Sequence, residues 1–310
     1  MPIDLAPTDD FNRIEIRDRA GIGLPFSKGL MATSILVTGL HTEDAYKIAA
    51  EIQKRISASG ASEMDADKLA QFAHDTVHEL AGSEAAGRYS TWRRAKRTGR
   101  PVIVALAGAP GVGKSTLATR LAVRLGFTRV VTTDTIREVL RSVIPKSVLP
   151  ELHISTYETT ETHPGDPPLG AFHRQARAVG AATSKVAARL ASEHTSAVIE
   201  GVHLMPGYLQ KALAMHPVQP IVVEIAVIVE NEDKHRAQLA RRAQSEPTRD
   251  GSRHLEHLSR IRDLQQVLID HAVEAGVPVY DIARSHDLTQ RIVDQVATRI
   301  DSQNPAAESH

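Results

Sequence analysis

The chain has 310 residues, 42% of them hydrophobic, so it is long enough for two domains with sizeable cores. Its 37 basic and 37 acidic side chains balance, which excludes a global basic field for non-specific nucleic-acid binding. Cysteine is absent, so disulfides and cysteine-based zinc sites are excluded.

Two further patterns concern membranes and secretion. The N-terminal residues 1–21 have no basic stretch followed by an apolar one, as a signal peptide would. The longest apolar stretch, 221–229, contains Glu224 and is far shorter than the roughly 20 residues of a membrane span. We therefore expect a cytoplasmic protein that binds neither a membrane nor a nucleic acid.

The N-terminal part, 11–90, is predicted to be mostly helical. Stretches 42–60 and 65–82 place apolar residues at helical spacing, and Thr42 is the candidate N-cap of the first. The spaced residues are Ala45, Ile48, Ala49 and Ile52, then Leu69, Phe72, Val77 and Leu80.

A short basic connector, 89–101, marks the predicted domain boundary. We assign 1–95 to a helical domain, 96–303 to a second domain and 304–310 to a disordered tail. The dense run of basic residues at 93–100 is interpreted as a solvated linker rather than a nucleic-acid site.

Beyond the connector, strand and helix patterns alternate. The predicted strands are 102–108, 129–134, 196–201, 221–229 and 277–281. The predicted helices are 114–125, 135–143, 171–193, 232–244 and 253–275. Short, continuous, β-branched strands between helices predict an α/β fold with a doubly wound parallel sheet.

The stretch 106–121 fits the spacing of a phosphate-binding loop, with an apolar strand before it and a helix after it. This context argues against a chance match in a glycine-rich turn. Lys114 would contact the β- and γ-phosphates of ATP, and Ser115 would offer its hydroxyl to Mg²⁺. The predicted nucleotide-binding residues are Gly108, Ala109, Pro110, Gly111, Val112, Gly113, Lys114, Ser115 and Thr116.

Charged residues follow two predicted strands at the edge where ligands bind in open α/β sheets. Asp134 closes one strand and could take the proton of the attacking hydroxyl or orient it, and Arg137, one helical turn later, could hold an anionic part of the same substrate. With Lys114, both are assigned to catalysis as well as to the substrate site. Glu200 closes another strand, with Gly201 and His203 beside it, and could hold a metal or line the substrate site. The alternatives are a helix N-cap for Asp134 and a solvated charge for Glu200.

The arginine-rich segment 231–262 reads as two helices around a polar loop. Arginines on such a lid can close over a triphosphate, so Arg241 is assigned to ATP and Arg242 to catalysis, with Arg249 and Arg253 as further candidates. The alternative is a solvated charged helix face.

A long polar insertion spans 152–168 and offers four donors, His153, Ser155, Thr156 and Tyr157. Tyr157 is assigned to substrate binding. The alternative is a polar loop without a function of its own.

Taken together, several motifs resemble the 2-phosphoglycerate kinase family. They read LAGAPGVGKST, TTDTIREVLR, LHISTY, VIEGVHLMPG and HLEHLSRIRDLQQVL. The resemblance implies that the doubly wound parallel sheet is of the P-loop kinase type. It also implies transfer of the γ-phosphate of ATP to 2-phosphoglycerate, giving 2,3-bisphosphoglycerate. It also covers 25–56, which is similar to the helical ATP-cone-like module that precedes the kinase domain in that family.

The resemblance makes Lys114 and Ser115 the contacts to ATP and Mg²⁺. It makes Asp134 and Arg137 the acceptor side, and it places 200–204 in the active-site wall. The implied substrate is a small anion with a carboxylate and a phosphate, which arginines suit by charge-assisted bonding.

The chain departs from the family pattern at 15–21, where Arg17 and Arg19 stand in for a Lys-Arg signature of ATP-cone modules. That module could bind nucleotide, form homodimer contacts or serve only as a packing partner. Two other functions stay open: a similar kinase for a different small acceptor, and a nucleotide-responsive regulator without turnover. A pure regulator has no need for the pair Asp134 and Arg137 at an acceptor pocket.

Overall fold

The computed structural model describes residues 14–18, 21–158, 165, 169–245, 251–284 and 287–303. The chain divides into two compact units. The first runs to Arg94 and includes Arg124–Gly126; the second comprises Ala95–Val123 and the chain from Phe127 onward. That a boundary between two independently folding domains lies between residues 95 and 96 stays a prediction.

The N-terminal unit contains a small three-stranded sheet and helices. The strands are β1 (Glu15–Arg17), β2 (Gly23–Pro25) and β3 (Glu63–Asp65), and the helices are α1 (Lys28–Leu36), α2 (Thr42–Ala58) and α3 (Ala66–Arg97). β1 pairs antiparallel with β2 and parallel with β3. The four spaced apolar residues of α2 are all buried, as the helical spacing predicts.

Several local predictions in this part were wrong. Thr42 is the first helical residue of α2, and its N-cap is His41, whose side chain makes no capping bond. Leu80 is 50% exposed, although its spacing placed it on the apolar face. α3 breaks at Gly82, with φ 88°, and then continues to Arg97, so most of the predicted connector is helical. A positive φ is readily adopted by glycine, which explains the break.

The second unit is a five-stranded parallel sheet in the order β5-β6-β4-β7-β8. Its strands are β4 (Val102–Ala107), β5 (Arg129–Thr132), β6 (Ala197–Gly201), β7 (Ile221–Ile228) and β8 (Val279–Asp281). All five predicted strands are present, and their parallel pairing confirms the predicted fold class.

Helices and a 3₁₀ turn (Pro150–His153) connect these strands. The helices are α4 (Lys114–Leu125), α5 (Thr133–Val143), α6 (Gly170–Ser192), α7 (Tyr208–Leu213), α8 (Glu232–Ser245), α9 (Gly251–Glu256), α10 (Leu258–Glu274) and α11 (Leu288–Gln303). The predicted helix 253–275 is two helices, and neither α7 nor α11 was predicted. The predicted tail 304–310 lies outside the described residues.

Strand register brings the chemistry-bearing residues to one edge of the sheet. Leu106 of β4 and Thr132 of β5 both pair with Glu200 on the central neighbour β6. The phosphate loop follows β4, and Asp134 follows Thr132 by two residues. Within the described residues, none of the helices is both long and apolar enough to traverse a bilayer.

Candidate active site

The phosphate loop connects β4 to α4, as its spacing predicts. Gly111 and Gly113 have φ of 80° and 90°, a backbone region that side chains other than glycine rarely adopt. A Cβ on Gly108 would come within 2.8 Å of the Val227 carbonyl oxygen, so this position leaves no room for a side chain. α4 begins at Lys114 and points its N-terminus, an anion-attracting end, at the loop.

A cavity of about 630 Å³ opens over this loop. Its lining residues are Gly111, Val112, Gly113, Lys114, Ser115, Thr116, Leu117, Arg120, Gln238, Arg241, Arg242, Ile282, Leu288 and Thr289. Three predicted nucleotide-binding residues, Gly108, Ala109 and Pro110, do not line it. The lining combines the loop, three arginines and apolar side chains, a composition that suits a nucleoside triphosphate.

Lys114, Ser115 and Glu200 form a compact polar group at the floor of the loop. The Ser115 hydroxyl donates to Glu200 Oε1 at 2.8 Å, and Lys114 Nζ lies 4.0 Å from Glu200 Oε2. Glu200 is only 4% exposed, so the alternative of a solvated strand-end charge is wrong. A hydroxyl beside a buried carboxylate is a donor set that fits a hard cation such as Mg²⁺.

Asp134 lies in the first turn of α5, not at the end of a strand. β5 ends at Thr132, whose Oγ1 caps the helix by accepting from Thr135 N at 3.0 Å. The alternative of Asp134 as N-cap is therefore wrong. Its side chain is 62% exposed, with Oδ1 at 3.8 Å from His203 Nδ1, so the carboxylate is accessible to a ligand.

Arg137 is largely buried, with 13% of its side chain exposed. Its Nη2 donates to the Ile154 carbonyl at 2.6 Å, which ties α5 to the segment after the 3₁₀ turn. Burial lowers the pKa of its guanidinium, and the neighbouring Arg141 charge lowers it further. Among the residues that the structure describes, its buried Nε has no hydrogen-bond partner, so one donor of the guanidinium is left unsatisfied.

His203 is fully buried, and both of its ring nitrogens face protein groups. Nδ1 lies 2.9 Å from Thr133 Oγ1, and Nε2 lies 3.1 Å from Gln175 Oε1. Burial lowers the pKa of the ring from 6.5 to about 4; Asp134 opposes this effect, while Arg137 and Lys114 add to it. A ring without exposed surface makes no direct substrate contact, in contrast to its predicted role.

Gly201, also assigned to substrate binding, packs against the start of α5. A Cβ there would lie 2.7 Å from Thr133 Cβ, so glycine is required for this close approach.

The polar insertion is described over residues 152–158 and at residue 165. The Tyr157 ring packs against His254 and His257, with centroids 4.8 and 5.4 Å away, and Glu158 lies 3.9 Å from Arg253. His153 Nε2 lies 2.9 Å from the Ile144 carbonyl oxygen, so its ring is engaged with the main chain. The substrate role of Tyr157 stays a prediction.

The predicted lid arginines are only partly described. Arg241 and Arg242 line the cavity from α8, on the side facing the phosphate loop. Arg249 and the polar loop around it lie outside the described residues. The roles of Arg241 with ATP and Arg242 in catalysis stay predictions.

Three buried polar residues of the site were missed in the sequence: Thr133, Gln175 and His235. His235 Nε2 lies 2.9 Å from the Pro110 carbonyl oxygen and so connects α8 to the phosphate loop. For two of them, Gln175 and His235, the spacing from apolar neighbours in the same helix indicated burial. Gln175 lies between Phe172 and Val179 on the buried face of α6, and His235 precedes buried Leu239 by four residues.

Comparison with known proteins agrees with this geometry. A family model described as an AAA domain matches residues 103–268, more than half of the chain. A 2-phosphoglycerate kinase from Pyrococcus furiosus is 34% identical over 273 residues, which cover 86% of this chain and 88% of that protein. A 2-phosphoglycerate kinase from Methanopyrus kandleri is 31% identical over 93% of this chain and 88% of its own.

Among solved structures, a gluconokinase from Sinorhizobium meliloti 1021 is 15% identical with a TM-score of 0.40, covering 68% of this chain and 98% of its own. The sequence identities extend over both units, beyond the phosphate loop, and they confirm the resemblance of the motifs. The chain belongs to the 2-phosphoglycerate kinase family.

Proposed function

We propose that this protein transfers the γ-phosphate of ATP to the free hydroxyl of 2-phosphoglycerate, giving 2,3-bisphosphoglycerate and ADP. The observation that carries the proposal is the identity of 34% with a 2-phosphoglycerate kinase over 86% of the chain. The geometry supports it, because a phosphate loop, a buried carboxylate and an accessible carboxylate meet at one edge of the sheet.

The donor side is the cavity over the phosphate loop. Gly111 and Gly113 shape the loop, and Lys114 supplies a buried cation for the β- and γ-phosphates. Arg241 and Arg242 line the same cavity and would neutralise charge on the moving phosphoryl group.

Ser115 and Glu200 would hold Mg²⁺, since their oxygens already lie within hydrogen-bond distance of each other. When bound, the ion would neutralise phosphate charge and align the triphosphate. Within the chain, the buried Glu200 carboxylate also orients the Ser115 hydroxyl and lies close to the Lys114 ammonium.

The acceptor side is formed by Asp134 and Arg137. The exposed Asp134 carboxylate would accept a hydrogen bond from the attacking hydroxyl, and Arg137 would bind an anionic group of the same molecule. Transfer forms a bond from the acceptor oxygen to the γ-phosphorus and breaks the bond from that phosphorus to ADP. The hydroxyl proton leaves toward Asp134.

We further propose that the protein acts in the cytoplasm. Association as a homodimer through the N-terminal unit stays a prediction.

The test is ADP release from ATP and Mg²⁺ with a panel of acceptors: 2-phosphoglycerate, 3-phosphoglycerate, glycerate, shikimate, a nucleoside and a UDP-sugar. Strong stimulation by 2-phosphoglycerate alone supports the proposal, and Lys114→Ala should abolish that stimulation. Stimulation by another acceptor alone would contradict the substrate. Tight ATP binding without stimulation by any acceptor would favour a nucleotide-responsive regulator.

A further inference from the structure

A buried hydrogen-bond network lies directly behind the two acceptor-side residues. His203 bridges Thr133 at the start of α5 and Gln175 in the middle of α6. All three side chains belong to residues with no exposed surface, so the network is shielded from solvent. Hydrogen bonds in such surroundings are strong, and leaving one unmade is costly.

The orientation of Gln175 determines which nitrogen of His203 carries the proton. Gln175 Nε2 donates to the main-chain carbonyls of Glu151 and Ile154, the latter at 3.1 Å. Gln175 Oε1 is an acceptor only, so His203 Nε2 must be the donor to it. In the neutral ring, Nδ1 is then unprotonated and accepts a hydrogen bond that the Thr133 hydroxyl donates.

The same network holds both acceptor-side residues. Thr133 is adjacent to Asp134, so the bond to His203 anchors the helix turn that carries the exposed carboxylate. The Ile154 carbonyl accepts from Gln175 and also from Arg137, at 2.6 Å. One continuous set of bonds therefore links the backbone at Asp134 with the guanidinium of Arg137.

We propose that His203, as the neutral Nε2–H tautomer, is a positioning residue that sets the placement of Asp134 relative to Arg137 through Thr133 and Gln175. This inference rests on the proposed function. It assigns His203 an indirect role in phosphoryl transfer, and it predicts that the Thr133 hydroxyl matters for turnover although it does not face the substrate.

Thr133 allows a sharp test, because valine keeps its shape and serine keeps its hydroxyl. Misplacement of a reacting group by about 1 Å can cost about 100-fold in rate, so Thr133→Val should lower kcat by between about 10- and 100-fold. The KM for ATP should stay within about twofold, because the phosphate loop is untouched. Thr133→Ser should recover the larger part of kcat.

Thr183→Val is the matched control. Thr183 is a buried threonine of α6 whose hydroxyl donates to the Val179 carbonyl at 2.7 Å, within its own helix. Its loss should leave kcat within about twofold of the wild type, since this hydroxyl bonds within its own helix and not to His203, Gln175 or Thr133. Melting temperatures of all variants are measured to show that each is folded at the assay temperature.

A second measurement does not depend on a variant's folding. ¹⁵N NMR of the uniformly labelled wild-type protein at neutral pH, with the His203 ring assigned through its bonds to the assigned backbone, should show protonation at Nε2 only. Protonation at Nδ1 would overturn the inference. Equal kcat values for the wild type and Thr133→Val would also overturn it, and so would equal losses of kcat in Thr133→Val and Thr133→Ser. A wild type without turnover on 2-phosphoglycerate would contradict the proposed function, and the positioning role would fail with it.

Discussion

The buried imidazole of His203 should make the protein sensitive to mild acid. Its pKa falls from 6.5 to about 4 in the folded protein, chiefly because burial disfavours the charged ring. The unfolded chain binds a proton near pH 6.5, while the folded protein does not until about pH 4. Between these values the unfolded state binds more protons, so the free energy of unfolding falls as the pH falls.

The size of this effect follows from the same values. One pKa unit corresponds to about 1.36 kcal/mol, so a fall from 6.5 to about 4 corresponds to about 3 kcal/mol. This stability is fully present above about pH 7 and is lost by about pH 4. For a protein whose total stability is about 5–15 kcal/mol, the loss is a large fraction.

The assay is urea unfolding followed by circular dichroism at a series of pH values, for the wild type and His203→Gln. We expect the variant to be less stable than the wild type at neutral pH. From about pH 7 to about pH 4, however, its free energy of unfolding should fall by about 3 kcal/mol less than that of the wild type. His41→Gln, which removes an exposed imidazole, controls for the loss of one histidine. Parallel pH curves for the wild type and His203→Gln would refute the reasoning.

Four further substitutions test the site. Lys114→Ala removes the buried cation of the loop and should lower kcat/KM at least about 100-fold in the ADP-release assay; retained turnover would exclude it from the nucleotide site. Asp134→Asn should lower kcat about 100-fold with KM for ATP within about twofold, and equal losses would indicate a structural role. Glu200→Gln should raise the Mg²⁺ concentration for half-maximal activity about tenfold, and an unchanged titration would contradict the metal assignment. Gly201→Ala should cost about 1–3 kcal/mol in thermal unfolding, because its Cβ would overlap the Thr133 hydroxyl oxygen and lie 2.7 Å from Thr133 Cβ; an unchanged melting temperature would contradict this.

Local signals in the sequence were sufficient for the phosphate loop and the sheet. Glycine and lysine spacing between an apolar strand and a helix identified the loop, because the backbone and charge requirements of phosphate binding involve neighbouring residues. The five strands were recognised because buried parallel strands are continuous apolar runs. The helix α3 was harder, since its basic C-terminal half has the composition of a linker.

The structural position of Asp134 could not be predicted from neighbouring residues alone. Both Thr132 and Asp134 are good N-cap residues, and sequence does not decide between two such neighbours. The pairing of β5 with β6 ends at Thr132 and Glu200, two residues before the predicted strand end at residue 134. Thr132 therefore caps the helix, and Asp134 stays accessible in its first turn.

Local sequence patterns alone indicated a phosphate loop within an alternating β/α fold, and the motifs indicated the kinase family. Which groups the buried polar residues contact was set by the tertiary structure. Glu200 lies beside Ser115 and Lys114, and His203 joins Thr133 to Gln175, across separations of 28 to 86 residues. Such partners meet through strand order and helix packing, and these long-range contacts leave no pattern in the local sequence.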